Sequence, residues 1–263
     1  MKRFIPFLSD RPLVPVIRLH GTISAGGRGL SDAGLAPMIE RAFRKGKPVA
    51  VAVVVNSPGG SPAQSSLIAA RIRRLADEKS LRVHVFVEDA AASGGYWLAC
   101  AGDDIWVDQS SLVGSIGVIF SSFGFPEFMA RHGIERRVHT AGTSKSLADP
   151  FLPEKPQDVA RLKAIQAPIH DAFIAHVKSR RGARLAEADI FNADIWVGQQ
   201  AVDLGLADGV AHLVPKMKEL YGPDVHLAPH SPRRGLMQRL GLRAMADVMA
   251  GVEDRAAWAR LGL

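Results

Sequence analysis

Only one residue of the 263 is cysteine, Cys100. No intrachain disulfide can form, so nothing ties the fold to an oxidising compartment. Cys100 sits in YWLACAG, the context of a small buried hydrophobe rather than a reactive thiol. Aromatic residues are scarce at 6%. Neither zinc-finger spacing nor an RNP-type motif occurs, so the formal charge of +7 reads as that of a moderately basic protein with no nucleic-acid partner. A continuous apolar run is also missing at the start. MKRFIPFLSDRPLVP is broken by Pro6, Ser9, Asp10, Arg11 and Pro12, which fits neither a signal peptide nor a membrane span. The expectation is a cytoplasmic protein, peripheral at most to the inner membrane. Internal repeats and low-complexity tracts are absent, and no pattern calls for a metal or cofactor.

What is present is an ordinary globular balance, 47% apolar and 22% charged, in a chain long enough for a sizeable core. Residues 14–19 (VPVIRL) read as a strand. Leu35, Met38, Ile39, Ala42 and Phe43 recur at helical spacing until Gly46 and Pro48. Residues 49–55 (VAVAVVV) form an unbroken apolar run, the mark of a strand buried on both faces. Pro62 opens a helix carrying Leu67, Ile68, Ile72 and Leu75. Residues 81–87 (LRVHVFV) read as the next strand, 93–100 as helix, 105–107 as a third short strand in this stretch and 118–120 as a fourth. This alternation predicts an α/β fold with a largely parallel sheet. Residues 156–178 then read as one long helix with Leu162, Ile165, Ile169, Phe173 and Val177. Residues 226–232 read as a linker. Beyond them Met237, Leu240, Ala244, Met245, Val248 and Val252 mark a basic amphipathic helix.

Two strands end in glycine turns: NSPGGS after VAVAVVV, and ASGGYW after LRVHVFVEDAA. In a parallel sheet both turns emerge at the edge where ligands bind. Packing accounts for such glycines if the helices merely sit close to the sheet. Chemistry accounts for them if the amides of Gly60 and Gly94 converge beside Ser93. Two such donors form an oxyanion hole, and losing one typically costs roughly 10²–10³ in rate. Either reading accommodates each pair alone; both pairs together, each after a buried strand, favour chemistry.

A serine nucleophile needs a base. None of the nine histidines lies in a context suggesting a triad. A lysine is the other option, but at its usual pKa only about one in 2,500 is neutral at pH 7. Removing the proton costs roughly 4 kcal/mol, which burial can supply. Lys145 stands out in AGTSKSLADPF, among small residues, with Ser144 and Ser146 beside it to orient the amine. Most other lysines, including Lys45, Lys47, Lys79, Lys155 and Lys163, have charged neighbours and read as solvated.

In order, VIRLHGTI, VNSPGGS, AASGGYWLA, VGSIGVI, AGTSKSLADPF and IWVGQQAVDLGLAD resemble the S49 serine peptidases, the signal peptide peptidase A group. The resemblance spans residues 14–221. It implies the Clp-protease and crotonase-like α/β fold, with repeated strand–helix units and here a C-terminal helical extension. It further implies Ser93 as nucleophile, Lys145 as general base, and Gly60 and Gly94 as oxyanion donors. No histidine stands in DQSSLVGSIGVIFSS, where the Clp branch carries its base. The expected organisation is an N-terminal extension (1–13), the peptidase domain (14–225), then linker and helix (226–263). The implied substrates are extended apolar peptides such as remnant signal peptides. A single short copy implies a homo-oligomer. The C-terminal helix is a candidate subunit or peripheral membrane contact, and packing on its own domain is an equal alternative.

Two rivals follow from the same residues. A crotonase-type acyl-CoA hydratase or isomerase shares the two-amide hole but works through carboxylates, for which Glu88 and Asp89 are the candidates. A silent scaffold would keep the fold without the chemistry, although Ser93 and Lys145 are intact.

Overall fold

The computed structural model describes residues 11–26, 29–142, 145–230 and 255–263. Ser144 and the expected C-terminal helix (236–252) lie outside these. In chain order the elements are β1 (Leu13–His20), α1 (Asp32–Arg44), β2 (Ala50–Ser57), α2 (Pro62–Lys79), β3 (Arg82–Ala92) and α3 (Gly94–Ala99). Then come β4 (Asp104–Val107), β5 (Leu112–Gly114), α4 (Pro126–Arg131) and α5 (Pro156–Arg181). Last are β6 (Ile195–Val197), α6 (Gln199–Asp203), β7 (Gly209–Val210), α7 (Leu213–Tyr221) and β8 (His226–His230).

The sheet runs β6-β5-β3-β2-β1-β8, with β4 beside the first half of β3 and β7 beside β4. Every pairing is parallel except β5 with β6. Period-two alternation splits the central strands between two cores. Ile17, Leu19, Val51, Val53, Val55, Val83 and Val85 pack with α1, α2 and α3. Val14, Val16, Ala52, Val54 and Phe86 face the other way, where Met217 of α7 covers them. All eight residues of β2 are buried, as its apolar run requires.

Local chemistry sets the helix starts. Ser31 caps α1 by accepting the Gly34 amide, and Ser61 caps α2 by accepting the Gln64 amide with Pro62 in the first turn. Arg71 of α2 grips Asp32 of α1 through two 2.7 Å bonds. Arg181, 2% exposed, bonds Asp208 at 2.7 Å and the Gly205 carbonyl at 2.8 Å. Its charge is thus paired and satisfied in the interior. Beside it Tyr96 donates to the Leu206 carbonyl at 2.8 Å. These bonds fix the ends of α5 and α3 against one turn.

Two expectations are corrected here. Residues 118–120 form no strand; Ile119 is 71% exposed, and the strand is the preceding β5. Among the described residues no strand pairs with the apolar run there. The 226–230 stretch is no linker but β8, an edge strand parallel to β1 from Leu13↔His226 to Ile17↔His230. An edge tolerates Pro229, because its missing N–H costs no ladder bond there. Smaller differences are extensions: β3 continues to Ala92 and α5 to Arg181.

Burial pushes the Cys100 thiol up to about 12. Native protein should therefore resist iodoacetamide at pH 8 and react fully once unfolded in guanidinium. Fast labelling of the native thiol contradicts this packing.

Candidate active site

Ser93 joins β3 to α3 with φ 50° and ψ −122°, a backbone region that costs a non-glycine residue about 1–3 kcal/mol. The strain is held from both sides. Ser93 N–H donates to the Gly114 carbonyl of β5 at 2.8 Å. Its carbonyl accepts the amides of Tyr96 and Trp97 at 2.9 and 3.1 Å. The hydroxyl is not spent on capping α3, and among the described residues it has no hydrogen-bond partner.

The glycines bring α3 onto the end of β2. A Cβ on Gly95 would drive into the Ser57 carbonyl, and one on Gly94 into the Ser65 hydroxyl. Gly60, at φ +140°, has no room for a Cβ against the Ile23 carbonyl. Packing therefore demands these glycines. What packing does not use is their donors. Ile23 N–H bonds the Gly59 carbonyl and Ser61 N–H bonds the Ile23 carbonyl, both at 2.8 Å, which skips the Gly60 amide. Gly94 opens α3, so its amide has no acceptor within the helix. Among the described residues neither amide has a partner. A Cβ on Gly94 would stand 3.3 Å from Gly60 N, so the two donors are neighbours beside Ser93.

Ser93, Gly60 and Gly94 line an open cleft of about 10 Å³ with Pro62, Trp97, Gly117, Val118, Ile169 and Phe173. The last two come from α5. Sequence reasoning took them only as part of a helical stripe, and the stripe itself was the signal. Lys145 does not line this cavity. It lies exposed in a turn, and among the described residues its amine has no partner. The described residues do not supply the burial expected for it. Ser146 lines a separate cavity of about 430 Å³ with Phe120, Phe123 and Pro150.

Four of the nine histidines are engaged with other groups. His84 is buried between the Tyr221 hydroxyl at 2.7 Å and Asp104 at 2.9 Å. His84 and Arg82 hold the Asp104 carboxyl well below the usual carboxylate range. His170 and His176 donate through Nε2 to the carbonyls of Ile116 and Trp97 at 2.9 and 3.2 Å. His212 pairs with Asp108 at 2.8 Å.

Glu88 and Asp89 are turned away as well. A register shift between β2 and β3 pairs Val55 with Val87 but Ser57 with Ala91. The extra residues of β3 face outward, where Glu88 holds Arg18 at 2.7 Å and Asp89 holds the Asn56 amide at 2.5 Å. Both line a cavity of about 540 Å³ with Val54 and Phe86, on the opposite core from Ser93. Glu88 and Asp89, the candidates for a hydratase's carboxylates, are therefore not beside Ser93.

A model of peptidase family S49 matches residues 76–221. The chain belongs to peptidase family S49. Ser93, Gly94 and Lys145 of this S49 chain fall inside the matched stretch, whereas Gly60 precedes it. The whole chain is 46% identical to part of a protein of Brucella melitensis named Na(+)/H(+) antiporter NhaA, spanning 39% of its length. Among the described residues no helix is long and apolar enough to cross a membrane. A putative protease of Methanocaldococcus jannaschii is 31% identical over 73% of this chain and 61% of its own. The chain thus spans less than two thirds of each of these relatives. The fold is shared with 1510-N membrane-bound stomatin-specific protease. A lysine-to-alanine mutant of it, in complex with a substrate peptide, superposes with a TM-score of 0.55 over 88% of this chain and 97% of that one, at 15% identity. A serine-to-alanine mutant gives 0.53.

Gly95→Ala should lower stability by about 1–3 kcal/mol, the usual cost of overpacking, because backbone rather than a flexible side chain stands in the way. Urea unfolding measures it; a loss under about 0.5 kcal/mol contradicts the close approach of α3 to β2.

Proposed function

We propose that this S49 chain is a serine peptidase working through a Ser93–Lys145 dyad. The observation that carries the reading is Ser93, strained at a strand end with an unspent hydroxyl and two unpartnered amides beside it. Ser93 Oγ attacks the peptide carbonyl. The neutral Lys145 amine takes the serine proton and returns it to the leaving amine. The N–H groups of Gly60 and Gly94 hold the oxyanion in the tetrahedral intermediate. Water then attacks the acyl-enzyme, Lys145 again moving the proton, and frees Ser93.

The choice of mutants in the 1510-N protease, a serine in one and a lysine in the substrate complex, supports the pairing. The exposed Lys145 bears on assembly. A lysine can serve as a neutral base only when taken out of water, and the described residues leave Lys145 exposed. In the same part of the chain Ile119, Phe123 and Phe128 are 71%, 81% and 55% exposed, and Phe123 lines a cavity with Ser146; such apolar side chains suit a second copy of this chain. A homo-oligomer would cover those side chains and desolvate Lys145 together, with Ser146 near the amine. Extended apolar peptides, remnant signal peptides included, are the substrate class we assign. Peripheral membrane contact through the C-terminal segment is compatible with this reading.

Ser93→Ala should lower peptide turnover by roughly 10⁴-fold or more while leaving the melting temperature within a few degrees. Lys145→Arg should be equally inactive although it keeps the charge, because a guanidinium stays protonated. Wild-type turnover in either purified variant defeats the dyad. Sedimentation should give a mass above that of one chain; a monomer at full activity rules out assembly as the source of Lys145 burial.

A further inference from the structure

We propose that the site accepts only a small side chain on the residue supplying the scissile carbonyl, and that Trp97, Ile169 and Phe173 set that limit. The inference rests on the peptidase reading and adds its selectivity. The space beside Ser93 is about 10 Å³, room for about one water. Alanine fits such a space; leucine or phenylalanine demands that the wall move.

The wall is braced against moving. Trp97 stacks on Phe173 and on His176, each with ring centroids 4.9 Å apart and interplanar angles of 24° and 15°. His176 also donates to the Trp97 carbonyl at 3.2 Å. Phe173 is 3% exposed and Trp97 8%. One turn earlier, His170 ties α5 to the Ile116 carbonyl at 2.9 Å. Further along, Arg180 ties it to the carbonyls of Cys100 and Gly102, each at 2.9 Å. An interior packed in this way yields little to an extra methylene.

The chemistry decides which side of the scissile bond meets the wall. The leaving amine must receive a proton and depart, so its side needs a proton carrier and an exit. Trp97, Val118, Ile169 and Phe173 carry no group that exchanges a proton at neutral pH. The acyl side therefore faces them.

The test is a peptide series varied only at the residue before the cleaved bond (Ala, Val, Leu, Phe), with a second series varied only after it. Wild-type kcat/KM should favour Ala over Leu and Phe by at least about tenfold, with little dependence in the second series. Phe173→Ala and, at the partly buried Ile169, Ile169→Ala should each shrink the Ala-to-Leu ratio severalfold. Ile169→Ala keeps the test open if loss of Phe173 unfolds the protein. Equal cleavage of Ala and Phe by wild type overturns the inference. So does an unchanged ratio in folded variants, or selectivity confined to the second series. No turnover of any peptide overturns the peptidase reading itself.

Discussion

Everything at the site depends on how closely α3 lies on the end of β2. No Cβ can be placed on Gly94, Gly95 or Gly60 without meeting Ser65, the Ser57 carbonyl or the Ile23 carbonyl. That contact leaves Ser93 as the first residue past the sheet, in a backbone conformation it would not adopt alone. It also lays the Gly60 amide beside the Gly94 amide. Packing and chemistry, posed as rival accounts of the glycines, are one account: the approach that excludes side chains leaves two donors for a ligand.

The surroundings keep that approach in place. Gly114 of β5 holds the Ser93 amide at 2.8 Å, and Tyr96, whose own amide bonds the Ser93 carbonyl, is anchored on the Leu206 carbonyl. The buried Arg181–Asp208 pair ties α5 to the turn before β7. α5 then lines the cleft through Ile169 and Phe173. The wall of the site thus belongs to a helix far along the chain from Ser93, which is why its width is set by tertiary packing.

Much of this was legible in the residues. VAVAVVV could be little other than a strand buried on both faces, and Pro62 and Ser61 marked a helix start. Glycine pairs after two such strands placed Gly60, Ser93 and Gly94 at one edge of the sheet. The misreadings have physical causes. Residues 118–120 carry strand-like side chains, but Ile119 and Phe120 are exposed, because no described strand pairs with them. Residues 226–230 look like a linker because an edge strand tolerates proline and histidine. The exposure of Lys145 lay beyond any local pattern, since desolvation depends on what surrounds a side chain in space and not on its neighbours in sequence. Ile169 and Phe173 were visible as a helical stripe, but a stripe does not say what it faces.

The central claim is that Ser93 is an activated nucleophile, and a fluorophosphonate probe tests it most directly, because such a reagent bonds only to a serine whose hydroxyl is being deprotonated beside an oxyanion hole. Wild-type protein at neutral pH should carry one label per chain, located on Ser93 by peptide mass spectrometry, with labelling lost in Lys145→Ala. Label on another serine, or peptide hydrolysis by a protein whose Ser93 stays unlabelled at saturating probe, would contradict the account.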